Sequence, residues 1–199
     1  MVTRMLFFIS ALLILQTGRA QEKLLYSTNF QDWTSFTSTT EVTVAKKTDY
    51  TNEDLVFKFF QVTVDSAGEN ALRFNYNVVS KGWAQAQKVP GSYIETSPLK
   101  SITKIQFIQG ATGSNRGFKV WKKGLLDLLW VPVYSTPCAI ISGEVVTVLI
   151  NEPNVAIRFT NLDETQNAYM FDLKIFGNYV STKPQYKLDV DANIPEAGT

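Results

Sequence analysis

The side chains able to do chemistry in this chain are aromatic rings, carboxylates and amines, because its 199 residues include no histidine and a single cysteine, Cys138. The lack of histidine removes the Ser-His and Cys-His nucleophile pairs and the usual imidazole ligands of zinc. A lone cysteine cannot form an internal disulfide, and we expect Cys138 to be a small buried residue at the start of a strand. The remaining residue types favour ligand binding over catalysis.

Tryptophans and polar loop residues are the candidate ligand-binding residues. Flat rings stack on the C–H faces of sugars, while amides and charged groups bond to the sugar hydroxyls. We predict Trp121 and Trp83 as the stacking residues, with Arg116 and Asn115 as polar partners from the Gly-rich loop Gly110–Gly117. These four residues predict a carbohydrate-binding surface.

A core role is the alternative for every tryptophan, since a sandwich needs large rings between its sheets. For Trp83 the core and the surface are equally favoured. The core role and the surface role are also equally favoured for Trp121. In "FKVWKKG" this residue alternates with apolar residues and shares the outward face with Lys119. For Trp33 and Trp130 the core role is favoured.

Carboxylates near the two ends of the chain predict a structural calcium site. Calcium prefers six to eight oxygen ligands, many of them carboxylates. We predict Asp172, from the last strand, as a ligand together with Asp32 and Asn29, which follow the first strand. The alternative is a solvated outer face on which Asp172 and Lys174 lie two residues apart.

Lyase chemistry on uronates is a lower-ranked alternative. It needs a base beside the C5 proton and a cation that neutralises the sugar carboxylate. Arg116, Lys122 and Lys123 are the candidate bases, but Arg116 stands in a Gly/Ser/Asn loop with no acidic cluster near it in the sequence. A contact across a turn or with a partner is the favoured role of this arginine.

The N-terminus has the pattern of a secretory signal. Arg4 precedes an apolar run, Met5–Leu15, and small and polar residues follow as far as Ala20. The run is too short to span a bilayer, so cleavage is expected near Ala20 and Gln21. Removal of this segment also removes two arginines, so the formal net charge changes from +1 to −1. A mature chain with this charge is not expected to have a basic groove for nucleic acid.

The rest of the chain predicts strands and almost no helix. Period-two alternation and turn residues indicate strands at Leu24–Thr28, Val42–Lys46, Leu55–Val64, Ala71–Val79, Trp83–Gln87, Tyr93–Thr96, Lys104–Ile108, Phe118–Lys122, Leu128–Tyr134, Val145–Ile150, Val155–Thr160 and Ala168–Phe176. The fold class that we expect is all-β, an antiparallel β-sandwich of jelly-roll or galactose-binding-like type.

Two of these segments carry specific expectations. In the last strand, alternation predicts Tyr169, Phe171, Leu173 and Ile175 on one face and Met170, Asp172, Lys174 and Phe176 on the other. In "KKGLLDLLWVP", Gly124 and Pro132 predict a short turn between two strands in preference to a helix.

Three motifs carry a resemblance to a known module. They are "STNFQDW" at Ser27–Trp33, "KGWAQA" at Lys81–Ala86 and the closing strand Ala168–Gly177. Together with Ser92–Gly124 they resemble an N-terminal β-sandwich module of secreted, multidomain bacterial proteins, some of them classified as pectate lyases. The likeness covers about Leu24 to Gly177 and implies the fold more specifically than any activity.

The tail Tyr186–Thr199 resembles the opening strand of a bacterial immunoglobulin-like or B-repeat domain. The expected organisation is a signal peptide at 1–20, a sandwich at 21–180 and a linker or start of a further domain at 181–199. The expected function is a secreted, non-catalytic carbohydrate-binding module of a polysaccharide-degrading protein. Polysaccharide and neighbouring domains are the expected partners, with no nucleic acid and no membrane after signal removal. A structural or adhesive spacer is the alternative.

Overall fold

The computed structural model describes residues 21–48, 54–67, 82–110, 116–138 and 143–179. In these ranges the chain forms strands and turns and no helix. The strands are β1 (Gln21–Thr28), β2 (Phe36–Thr37), β3 (Val42–Lys47), β4 (Asp54–Phe60), β5 (Val62–Asp65), β6 (Trp83–Ala86), β7 (Tyr93–Thr96), β8 (Ile102–Gly110), β9 (Phe118–Gly124), β10 (Val131–Tyr134), β11 (Glu144–Glu152), β12 (Val155–Asn161) and β13 (Ala168–Tyr179).

The strands build two antiparallel sheets, which confirms the predicted fold class. The six-stranded sheet has the order β10-β9-β12-β7-β4-β3. The seven-stranded sheet has the order β11-β8-β13-β6-β5-β2, and β1 pairs with the second half of β13. The predicted strand Ala71–Val79 lies outside the described residues, and the short β2 was not predicted.

One predicted strand, Leu55–Val64, is two strands in different sheets. β4 belongs to the six-stranded sheet and β5 to the seven-stranded one, and Gln61 between them has a φ of 54°. A residue with a left-handed backbone conformation turns the chain sharply enough to cross from one sheet to the other. The apolar pattern of Leu55–Val64 is continuous and did not indicate this change of sheet.

The faces predicted for β13 are wrong at its start. A bulge between Met170 and Asp172 shifts the register against β8. As a result Met170 lies in the core together with Leu173 and Ile175, while Phe171 packs on the opposite side of the sheet. An inserted residue interrupts the period-two alternation, so the two halves of the strand follow different phases.

Alternate residues of the two sheets fill the space between them, and aromatic rings make up much of this core. Phe107 lies edge-on to Phe159 with ring centroids 5.4 Å apart. Trp33 lies edge-on to Phe57 and Phe59 at 5.3 and 5.5 Å. The predicted core role of Trp33 is therefore confirmed.

The burial expected for Cys138 is confirmed, and its thiol lies 3.6 Å from the carbonyl oxygen of Gln109. Cys138 follows β10 and is not part of a described strand, so the expected position at a strand start is not seen. The segment after Gly124 is a turn that joins β9 to β10. Within the described ranges, no helix has the length and apolarity needed to cross a membrane.

Candidate functional site

The outer face of the six-stranded sheet carries large side chains in place of the short polar residues of an ordinary solvent face. Alternation turns the apolar residues of β12 and β9 into the core and leaves their neighbours outside. Trp121 on β9, Arg158 on β12 and Glu95 on β7 are consecutive cross-strand partners. Their side chains therefore form one row across three strands.

Arg158 is the centre of this row. Its guanidinium carbon lies 4.6 Å from the ring centroid of Tyr93 and 4.3 Å from that of Trp130, so it is held between two rings. The Nε of Arg158 donates a hydrogen bond to Glu95 Oε2 over 2.8 Å, and Nη2 donates to the same oxygen. The ion pair and the rings together fix the cation on the sheet surface.

Trp121 occupies the end of the row nearest β10. Its Nε1 donates to Thr160 Oγ1 over 2.9 Å, and the Nζ of Lys119 lies 4.8 Å from its ring centroid. The side chain is half-buried. The structure therefore gives Trp121 the outward position that the alternation of β9 predicts.

The other end of the face is closed by a tyrosine–carboxylate pair. The hydroxyl of Tyr93 donates to Glu41, and the Lys58 ammonium lies 3.3 Å from the other oxygen of that carboxylate. Burial and this hydrogen bond raise the pKa of Tyr93 to about 12. The hydrogen bond from Tyr93 also lowers the pKa of Glu41, which keeps the carboxylate ionised.

Trp83 is placed away from this face. It is only 4% exposed and forms a small cluster with Phe171 on the far side of the seven-stranded sheet, edge-on to Tyr169. A ring with so little exposure cannot stack on a ligand that arrives from solvent. Trp83 is therefore buried as the core role requires, but in a separate cluster and not between the two sheets.

Of the two predicted loop residues, the structure describes only Arg116. Asn115 lies outside the described residues. Arg116 lies just before β9, and its carbonyl oxygen accepts a hydrogen bond from the Cys138 nitrogen over 2.6 Å. Arg116 precedes Trp121 by five residues and lies outside β9, whereas Trp121 lies within that strand.

The three predicted calcium ligands line one pocket. It lies beside the end of β1, and its walls are formed by Ser27, Thr28, Asn29, Gln31, Asp32 and Asp172. Every one of these side chains carries an oxygen, and two of them are carboxylates. The donor chemistry therefore fits a hard cation such as calcium.

Several of these oxygens already accept hydrogen bonds. Asp32 Oδ1 accepts from Thr28 Oγ1 over 3.2 Å, and Lys46 lies 3.5 Å from Asp32 Oδ2. Asn29 Oδ1 accepts from the Gln31 nitrogen over 3.1 Å. Among the described residues no group of three or more Asp, Glu or Cys side chains is arranged to hold a metal. The metal role of this pocket stays a prediction.

Sequence reasoning missed the ring-and-cation group of Arg158, Glu95, Tyr93 and Trp130. The core role favoured for Trp130 is wrong, because its ring lies half-buried against Arg158 on the outer face. Alternation in β12 did place Arg158 outward, and this was the signal available. Its neighbours depend on which strands pair with β12, and alternation does not reveal that.

Comparisons with known proteins found only distant structural similarities. No protein-family model matches the sequence, and no curated protein matches it. Among solved structures, the K2 cleaved adhesin domain of Lys-gingipain is similar with a TM-score of 0.47 and 10% identity, over 78% of this chain and 99% of that chain. The CBM22-1 xylan-binding domain from Paenibacillus barcinonensis has a TM-score of 0.45 and 12% identity, over 78% and 94% of the two chains.

An F5/8 type C domain from Bacteroides fragilis is similar with a TM-score of 0.36 and 12% identity, over 74% of this chain and 98% of that chain. All three TM-scores are below 0.5, so these similarities identify no ligand for this chain.

Proposed function

We propose that this chain binds a polysaccharide on the outer face of its six-stranded sheet. The observation that supports the proposal is the cross-strand row of Trp121, Arg158 and Glu95, with Tyr93 and Trp130 on either side of the guanidinium. An extended polymer lying across the strands would meet all of these side chains in turn.

The residue types of the row match the chemistry of a sugar. Half-buried rings offer apolar surface to C–H faces, and Trp121 and Trp130 are the largest rings of this face. The guanidinium of Arg158 and the carboxylate of Glu95 hold each other in fixed positions. Prepositioned donors and acceptors bind hydroxyls without the entropy cost of ordering long side chains on binding.

Binding is proposed in preference to turnover. Glycoside cleavage by paired carboxylates needs one protonated acid with a raised pKa. On this face Glu95 is bonded to Arg158, and the pKa of Glu41 is lowered by its hydrogen bond from Tyr93. Both carboxylates are therefore suited to accept hydrogen bonds.

The cellular setting is also a proposal. The N-terminal segment ending at Ala20 supports export, and the motifs Ser27–Trp33, Lys81–Ala86 and Ala168–Gly177 support membership of a larger, pectate lyase-like polysaccharide-degrading protein. N-terminal sequencing of the protein from a culture medium or periplasmic fraction tests the first point. A mature N-terminus at Gln21 is expected, and full retention in the cytoplasm would contradict it.

Affinity gel electrophoresis tests the binding proposal. Residues 21–199 are run through gels that contain pectin, xylan or other plant and host polysaccharides. We expect one polymer to retard the chain, and Trp121→Ala and Trp130→Ala to weaken binding at least about tenfold. Phe176→Ala is the matched control, because this ring also lies under a lysine, Lys104, but on the opposite sheet.

The control should bind like the unchanged chain. If no polymer retards a folded chain, the binding proposal fails. The outward rings would then serve as a contact for a neighbouring domain, which is the role of a spacer. Retardation that Trp121→Ala and Trp130→Ala leave unchanged would place the polysaccharide on another surface.

A further inference from the structure

The hairpin that joins β9 to β10 exposes four leucines. Leu125, Leu126, Leu128 and Leu129 are 71, 93, 91 and 77% exposed, and Val131 beside them is 44% exposed. The other large apolar side chains with high exposure in the described part are only Val89, Val145 and Leu149. Most of the exposed apolar surface is thus concentrated at one tip, which marks an interaction site.

The tip is a defined turn. The Asp127 nitrogen donates to the Gly124 carbonyl over 3.1 Å, and the Gly124 nitrogen donates to Asp127 Oδ2 over 2.8 Å. These reciprocal hydrogen bonds keep the carboxylate at the turn itself. Two leucines precede Asp127 and two follow it, so apolar side chains extend from both arms of the hairpin.

Tryptophans and lysines mark the base of the same hairpin. Trp121 precedes the leucines on β9, and Trp130 immediately precedes β10; both are half-buried. Lys119 and Lys123 share the outer face with Trp121, whereas Lys122 forms an ion pair with Glu152. Residues 119–131 contain three lysines and one aspartate. The hairpin therefore has an apolar tip above an aromatic and cationic base.

We propose that this hairpin inserts its leucine tip into the interfacial region of an anionic lipid bilayer. Tryptophan rings favour the level of the lipid headgroups, and lysines beside them attract anionic headgroups. Shallow insertion of an apolar segment with a basic surround is the general mode of interfacial binding. On the β10 arm Trp130 follows the leucines, and on the β9 arm Lys123, Lys122 and Trp121 lie below them. The apolar tip is thus followed by aromatic and cationic groups, as the acyl chains of a bilayer are followed by its headgroups.

A bilayer suits the shape of the tip better than a protein surface does. Leu126 and Leu128, the most exposed pair, lie on either side of Asp127. A protein partner would need a pocket that encloses the hairpin from both sides, whereas lipid surrounds any convex tip without a matched shape. The proposal revises the expectation, drawn from the sequence, that the exported chain has no membrane partner.

Vesicle cosedimentation tests the proposal with residues 21–199, a chain that contains the whole sandwich and its core. The N-terminal segment is left out because its apolar run would itself partition into lipid. Vesicles of phosphatidylcholine alone are compared with vesicles of equal parts phosphatidylcholine and phosphatidylglycerol. We expect the chain to bind the anionic vesicles more tightly, and added salt to reduce the difference.

The decisive variant is Leu126→Ser with Leu128→Ser. Each leucine withdrawn from lipid should lower the partition constant about tenfold, so the pair should lower it about a hundredfold. Val145→Ser with Leu149→Ser is the matched control, because these side chains on β11 are each 68% exposed. That variant should bind vesicles like the unchanged chain. Lys119→Gln with Lys123→Gln should remove much of the preference for anionic vesicles.

Three outcomes would overturn the proposal: no vesicle binding by the unchanged chain, undiminished binding after the leucine substitutions, or an equal loss in the β11 control. Sedimentation velocity tests the alternative occupant of the tip, a second copy of this chain. A dimer that Leu126→Ser with Leu128→Ser dissociates would assign the tip to a second copy. The leucine variant should keep its retardation by polysaccharide, so failure of this proposal and failure of the binding proposal are distinguishable.

Discussion

Arg158 and Glu95 face each other across β12 and β7, and the guanidinium Nε donates to a carboxylate oxygen of Glu95 over 2.8 Å. The pair lies on the outer face of the sheet, yet both side chains are largely covered. Removing one partner of an ion pair in this partly covered setting costs more than breaking a surface pair, because the remaining charge is left poorly solvated. The pair also determines where the guanidinium meets its two flanking rings.

Glu95→Gln should therefore lower the free energy of unfolding by about 1–2 kcal/mol. The neutral amide keeps the shape of the side chain but removes the charge-assisted hydrogen bonds from Arg158. Urea unfolding at neutral pH measures the loss. Asp54→Asn is the control, because its pair with Lys47 is more than half exposed on both sides and should contribute less than about 0.5 kcal/mol. Equal losses would show that Arg158 and Glu95 are as solvated as the control pair.

The core placement expected from the sequence is right for one tryptophan and wrong for another. Both Trp33 and Trp130 were expected in the core. Trp33 packs against Phe57 and Phe59, and its Nε1 donates to Thr28 Oγ1 over 2.8 Å, whereas Trp130 lies outside against Arg158. Trp33→Ala should therefore lower the free energy of unfolding by about 3–5 kcal/mol, because it leaves a cavity.

Trp130→Ala should lower it by about 1 kcal/mol or less, because solvent can fill the space. Urea unfolding followed by circular dichroism compares the two variants with the unchanged chain. A loss for Trp130→Ala as large as that for Trp33→Ala would contradict the outer placement of Trp130. It would also remove Trp130 from the proposed polysaccharide-binding face.

The predictable part of the fold was the part governed by local alternation. In β12 and β9 each residue could be assigned to a face because no insertion disturbs the period of two. Two backbone irregularities hid the rest. Gln61, with positive φ, divides one apolar run between two sheets, and the bulge after Met170 changes the phase of β13. Neither residue type signals such a feature by itself.

The candidate site was predictable to a smaller extent. The outward position of Trp121 followed from its own strand, but the contacts of Arg158 follow from the strand order β9-β12-β7. β7 and β12 are far apart in the sequence, so local patterns carry no information about their pairing. The exposure of the four leucines was not predicted either, because apolar residues near strands normally indicate a core.

Tyr93 gives the outer face a pH dependence in alkaline solution. Burial and the hydrogen bond to Glu41 raise the pKa of Tyr93 from 10.0 to about 12 in the folded chain. A raised pKa means that the folded state resists loss of the phenolic proton. This contribution to stability is complete below pH 10 and is lost as the pH rises from 10 to about 12.

Tyr93→Phe should consequently lose less stability above pH 10 than the unchanged chain does. Urea unfolding midpoints across this alkaline range measure the difference, with tyrosinate absorbance as a direct readout of ionisation. Glu41→Gln should have a smaller effect in the same direction, because it removes the second cause of the shift and leaves burial in place. Parallel alkaline losses in the unchanged chain and Tyr93→Phe would show that Tyr93 is not perturbed.

Calcium should stabilise the chain through the pocket beside the end of β1. Asn29, Asp32 and Asp172 line this pocket, which joins the first strand region to β13. A cation there would link the two segments and neutralise two carboxylates, so binding would raise the melting temperature by mass action. Thermal unfolding in millimolar calcium and in chelator measures the shift.

Asp172→Asn should abolish the calcium-dependent shift, measured against the same variant in chelator. Asp163→Asn is the matched control, because this carboxylate lies in the turn between β12 and β13 and accepts hydrogen bonds from Thr165. That variant should respond to calcium like the unchanged chain. If calcium shifts neither protein, the Lys46 ammonium beside Asp32 already supplies the positive charge of this pocket. The pocket would then be a solvated surface feature and not a metal site.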